Sequence, residues 1–94
     1  MFVRWKRYTV HDWRGDVLRG RRAVLMQSVR TAAGPRLRHI CYLGSVVERD
    51  EQVDWDRRRF WHRVEPNLDK AGITGEVRER VLATLEVAVP RPED

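Results

Sequence analysis

The sequence predicts an α+β domain: a three-stranded antiparallel sheet followed by a C-terminal antiparallel helical hairpin, in two layers. Three observations carry this. Residues 36–44, R-L-R-H-I-C-Y-L-G, are a dense β signal, preceded by the turn signal Ala33-Gly34-Pro35. Apolar residues recur at strand spacing before Gly44 and at helical spacing after Gln52. The charge changes sign at the same boundary. Residues 1–44 hold ten Lys and Arg against Asp12 and Asp16, a balance of +8, whereas residues 45–94 hold nine against twelve acids, a balance of −3. At 94 residues the chain is read as one domain, with residues 1–45 as a basic sheet and residues 50–89 as two helices.

The first strand spans residues 2–10. Val3 and Trp5 alternate with Arg4, Lys6 and Tyr8, a period of two that marks a half-exposed strand. Residues 11–20 are punctuated by Asp12, Gly15, Asp16 and Gly20 and read as a loop. The tripeptide Arg14-Gly15-Asp16 is an integrin motif in secreted proteins, but nothing here is secretory and chance explains it better. Residues 21–31 form the second strand, the most buried of the three by virtue of Val24, Leu25, Met26 and Val29. Residues 32–35 connect it to the third, where Gly34 supplies a positive φ and Pro35 has no N–H to donate.

Residues 36–43 are the third strand. Simple alternation puts Leu37, His39, Cys41 and Leu43 against the core and Arg36, Arg38, Ile40 and Tyr42 toward solvent. Residues 46–52 read as a polar linker, with Asp50 or Asp54 as helix cap. In the first helix, Val53, Phe60, Trp61, Val64 and Leu68 make an apolar stripe. Pro66 should kink that helix or start a new turn, and Gly72 should close it in the left-handed C′ position with Ile73 packing back. Thr74 is the expected N-cap of the second helix. Val77, Val81, Leu85 and Ala88 form its stripe, widened by Leu82 and Val89, and Pro90 stops it.

Several function classes recede at this level. No apolar run approaches the roughly 18 residues of a membrane span. The N-terminus has no signal-peptide h-region, and the single cysteine, Cys41, agrees with a reducing compartment, so the protein is expected to be cytoplasmic. No Ser/His/Asp or Cys/His/Asp arrangement stands out, so an enzyme is not expected, nor a cofactor. His39 and Cys41 share a predicted face, with His11 and His62 elsewhere, but structural zinc wants four ligands and no metal site is expected. A helix–turn–helix at Gly72 reads poorly, because Glu76, Glu79 and Glu86 would repel phosphate.

The basic half points the other way. Arg4, Lys6, Tyr8, Arg30, Arg36, Arg38 and Tyr42 are expected on one sheet face, where guanidinium groups can bind phosphate bidentately and a sheet can enter a major groove. Arginine outnumbers lysine seventeen to two; the base composition of a GC-rich genome explains that ratio but not the clustering. The order of three strands then a helix resembles, in fold alone, the small sheet domains with which some tyrosine recombinases and plant transcription factors read DNA. The run Arg57-Arg58-Arg59-Phe60-Trp61 could grip single strands by stacking, although Phe60 and Trp61 fit the core better.

Residues 30–45, R-T-A-A-G-P-R-L-R-H-I-C-Y-L-G-S, resemble a hairpin ending in Tyr-Leu-Gly near the N-terminus of insertion-sequence transposases. With the F-W-x-x-V segment from Phe60 and the V-P-R-P from Val89, the whole chain is similar to small uncharacterised proteins of alphaproteobacterial genomes, phages and plasmids. The resemblance implies a mobile-element context. It does not imply transposase activity, since no acidic catalytic triad accompanies the hairpin. The expectation is a small non-catalytic nucleic-acid-binding module, with DNA as the expected ligand. The alternative is a protein-interaction module or a phage- or plasmid-encoded inhibitor of a host nucleic-acid machine, anti-CRISPR-like, docking through Trp13, Trp55 or the charged faces. A homodimer fits either, because four tryptophans are many for so small a core.

Overall fold

The computed structural model describes residues 1–48 and 54–92. Strands β1 (Phe2–His11), β2 (Val17–Thr31) and β3 (Gly34–Glu48) form an antiparallel sheet in the order β1-β2-β3. Helices α1 (Asp54–Lys70) and α2 (Gly75–Ala88) pack on one of its faces, α1 against β3 and α2 beside β1. The α+β class, the strand count and the two terminal helices are those the sequence predicts. Asp50, Val53 and residues 49–52 of the expected linker lie outside the described residues.

The strands are longer than predicted, for local reasons. The Asp12 carboxylate accepts the N–H groups of Arg14 and Asp16, each at 2.9 Å, and Gly15 takes φ +83°. This Asx-type turn closes the hairpin within residues 12–16. Pairing therefore resumes at His11↔Val17, and Gly20 sits inside a strand, not in a loop. At the other end, residues 46–48 continue β3 against Arg21, Gly20 and Arg19. Val46 is buried there, and Arg21 Nε stands 2.7 Å from Glu48 Oε1.

The strongest correction concerns the faces of β3. Its pairing with β2 shifts twice, between Ala23 and Val24 and between Leu25 and Met26, and each shift adds one residue to β3. Each added residue reverses which way the following side chains point. Leu43 and Cys41 do lie on the helix side, and Ile40 joins them against the core. His39, paired with Met26, and Leu37, paired with Ser28, lie on the opposite face. Arg38 and Arg36, paired with Gln27 and Val29, turn to the helix side. The expected single face of Leu37, His39, Cys41 and Leu43 is thus broken at Ile40.

The core lies between the helix side of the sheet and the two helices. Phe60 is at its centre, edge-on to Trp61 (centroids 5.5 Å, 87°) and stacked on Trp5 (6.0 Å, 22°). Gly44 makes that possible: a Cβ there would meet Phe60 Cδ2 at 3.0 Å and the Phe60 carbonyl at 3.2 Å. Asn67 Nδ2 donates to the Leu43 carbonyl at 3.1 Å, fastening α1 to the upper bulge. Trp61 Nε1 donates to the Val89 carbonyl at 3.0 Å, so the first half of α1 meets the end of α2 and the helices run antiparallel.

The α1 terminus follows expectation. Gly72 takes φ +71°, its N–H donates to the Asp69 carbonyl, and that of Ile73 reaches Leu68, a Schellman closure with Ile73 buried. α1 runs as one element through Pro66, so of the two expectations there the fresh start does not occur. Two details differ. Thr74 is at the N-cap position of α2 but its side chain makes no capping bond; Arg78 ties the junction instead, with Nη1 on Asp69 Oδ1 at 2.6 Å and on the Ile73 carbonyl. Val77 is 41% exposed, and α2 is held by Val81, Leu85 and the following Val89.

Candidate nucleic-acid interface

The helices cover one face of the sheet, and the other is left open. Antiparallel pairing assigns its occupants, since directly opposed residues share a face. From β1 come Arg4, Lys6 and Tyr8, opposed by Val24, Arg22 and Gly20 of β2. From β3 come Tyr42 opposite Val24, Ser45 opposite Arg22, and His39 opposite Met26. Val24 and Met26 are buried on this face although they stand outside the helix-side core.

These side chains line an open cleft of about 540 Å³, formed by Lys6, Tyr8, Arg22, Val24, His39, Tyr42 and Ser45. None of the seven is acidic, and no Asp or Glu occurs anywhere in residues 17–47. Its geometry depends on a glycine. The Tyr8 ring lies over Gly20, in the space a Cβ would need. The Arg22 guanidinium carbon sits 5.1 Å from the centre of that ring. Such cation–π contact orients a guanidinium while leaving its N–H donors free for an anion. Tyr42 Oη donates to Ser45 Oγ at 2.9 Å, which fixes the tyrosine at the opposite wall. An adjoining depression runs from Tyr8, Val10 and residues 45–47 to Asp56, Arg59 and Arg63 of α1, carrying positive charge round the β3 edge.

Of the residues expected on the basic face, Arg4, Lys6, Tyr8, Arg30 and Tyr42 do share it. Arg36 and Arg38 do not, because the shift at Ile40 turns them to the helix side. Sequence reasoning missed Arg22, Ser45 and His39. A signal for the first was present: glycine inside a strand marks a close approach, which at Gly20 is Tyr8, the neighbour of Arg22. His39, expected in the core, is exposed on the cleft wall.

The remaining candidates resolve simply. Phe60 and Trp61 are core, and Arg57 Nη2 stands 3.2 Å from Asp54 Oδ1. Both helices lie behind the sheet, where α2 exposes Glu76, Glu79 and Glu86. His39 and Cys41 lie on opposite faces, and among the described residues no three His, Cys, Asp or Glu side chains gather as a metal site. Partial burial pushes the Cys41 thiol above its ordinary value. No helix among the described residues is long and apolar enough to cross a membrane. Comparison with protein-family models, with curated proteins and with solved structures gives no match.

Proposed function

We propose that the protein is a small nucleic-acid-binding module that grips phosphate with the helix-free face of its sheet. The support is the lining of the cleft: Lys6 and a ring-oriented Arg22 side by side, hydroxyls of Tyr8, Tyr42 and Ser45 around them, and no carboxylate. A phosphodiester offers acceptors only, and charge-assisted bonds from a guanidinium are the strong way to hold it. Arg4 beside the cleft and Arg59 and Arg63 beyond it extend the same sign of charge over a span longer than one phosphate. The resemblance of residues 30–45 to a transposase hairpin agrees with a DNA ligand and a mobile-element setting. The test is fluorescence anisotropy with short DNA and RNA at several salt concentrations. Binding that weakens steeply with salt supports the proposal; no binding at low salt rejects it.

A second reading, a protein-docking module, has its own observation. Trp13 is 87% exposed at the β1–β2 turn and Trp55 is 66% exposed at the start of α1. Exposed tryptophans are favoured anchors of protein interfaces. Under this reading W13A/W55A abolishes capture of a host protein partner or self-association in sedimentation, whereas the phosphate-binding reading leaves nucleic-acid affinity unchanged in the same variant.

A further inference from the structure

β2 and β3 outrun the rest of the molecule. The last β1–β2 pair is Phe2↔Met26, yet β2 and β3 stay paired through Gln27↔Arg38, Ser28↔Leu37, Val29↔Arg36, Arg30↔Pro35 and Thr31↔Gly34. Five pairs at about 3.3 Å per residue make a two-stranded arm about 16 Å long. Ser28, residues 30–33 and residues 35–38 are exposed, and only Gln27, Val29 and Gly34 are half-buried, so β1 and the helices leave most of the arm uncovered. Its tip is fixed by Gly34 at φ +110° and by Thr31 Oγ1 donating to the Gly34 carbonyl at 2.7 Å.

The arm is basic on both sides. Arg30 lies on the open face, and Arg36 and Arg38 lie on the helix-side face. Residues 27–38 contain no acid, and among the described residues none of the three arginines has an acidic partner. We infer that this arm, residues 27–38, inserts into a groove of duplex DNA. The inference rests on the nucleic-acid reading of the sheet face and names its ligand.

Three physical points select the duplex. A two-stranded ribbon fits a major groove about 12 Å wide and about 8.5 Å deep, and the arm is longer than that depth. A groove has a phosphate backbone on each side, and arginines on opposite faces of one ribbon can each meet one wall. Single strands are held largely by stacking on aromatic rings. The arm, residues 27–38, has no aromatic residue; the rings of the open face lie in the cleft at its base, where Tyr8 is taken up by Gly20 and Arg22 and Tyr42 is held by Ser45, with His39 beside them. The major groove of duplex RNA is too deep and narrow for side chains to read, which favours DNA.

The experiment compares the full chain with R30A/R36A/R38A and with K6A/R22A, by anisotropy on a short DNA duplex, its single strand and the RNA duplex of the same sequence. Circular dichroism melts control for folding, which the exposed, unpaired arm arginines should not affect. The expected result is tightest binding to the DNA duplex, and at least about tenfold weaker duplex binding by the arm variant. Its slope of log K against log salt should be shallower by about 2.7 if each arginine neutralises one phosphate. K6A/R22A should weaken duplex and single strand alike. Equal duplex affinity for wild type and arm variant, or a wild-type preference for single strands or duplex RNA, overturns the arm's role while leaving the sheet face standing. Absence of binding to all three ligands at low salt overturns both.

Discussion

Tyr8, Gly20 and Arg22 form a unit in which each residue explains another. The ring occupies the place of a missing Cβ, and the guanidinium lies over the ring. Gly20→Val should expel the ring and release Arg22, weakening nucleic-acid binding several-fold. Tyr8→Phe should keep both ring contacts and lose only the hydroxyl, weakening binding less than Gly20→Val, so the pair of variants separates ring packing from the hydroxyl. Arg22 should matter more than the neighbouring exposed Arg19, which does not line the main cleft. Cys41 offers a second test at this scale. Burial raises its pKa, so the folded state favours the neutral thiol. The resulting stability is present below the unfolded thiol's pKa and is lost as pH rises through the folded one. Iodoacetamide should accordingly alkylate the native protein more slowly than the denaturant-unfolded chain at mildly alkaline pH, as followed by mass spectrometry.

At the scale of elements, the two bulges of β3 and the helix lying beside them set the site. The upper bulge leaves Leu43 and Gly44 toward α1, where Phe60 and Asn67 engage them. Gly44→Ala forces a Cβ against both the ring and the backbone of Phe60, and should destabilise the fold by about 1–3 kcal/mol, the usual cost of overpacking. Phe60→Ala should cost about 3–5 kcal/mol, since it empties the centre of the core. For a domain of this size such losses lower the melting temperature by tens of degrees in the second case, a reading that thermal denaturation gives directly. Pro66 works in the other direction. It is exposed within a continuous α1 and withholds one helical hydrogen bond. Pro66→Ala should therefore raise the melting temperature, by an amount below the roughly 3 kcal/mol difference in propensity, because alanine also loosens the unfolded chain.

For the whole molecule, the decisive property is the separation of charge. The two helices behind the sheet balance seven Lys and Arg against seven acids, while a net charge of +8 is gathered in the strands. A dipolar molecule of this kind approaches a polyanion sheet-first, and its association rate should fall steeply with ionic strength, measurable by stopped-flow fluorescence. The exposed Trp55 at the start of α1 gives that measurement a signal and Trp13 another, both outside the main cleft.

Much of this was legible in the chain. Alternation of Val3 and Trp5 with Arg4, Lys6 and Tyr8 defined β1, the 3.6-residue spacing of Phe60, Val64 and Leu68 defined α1, and Gly72 marked the helix end. These are local patterns, dictated by which side chains avoid water on a repeating backbone. Tertiary structure alone decided the faces of β3. A bulge has no fixed sequence signature, since it depends on how two strands drift against each other, and the shift at Ile40 sent Arg36 and Arg38 to one side and His39 to the other. The same holds for the cleft: Lys6, Arg22 and Ser45 are far apart in the chain, and only the register of three strands brings them together. The charge of the basic half belongs to the sequence; its division between an open sheet face and a two-sided arm belongs to the pairing, because pairing determines where β1 stops and β2 and β3 continue alone.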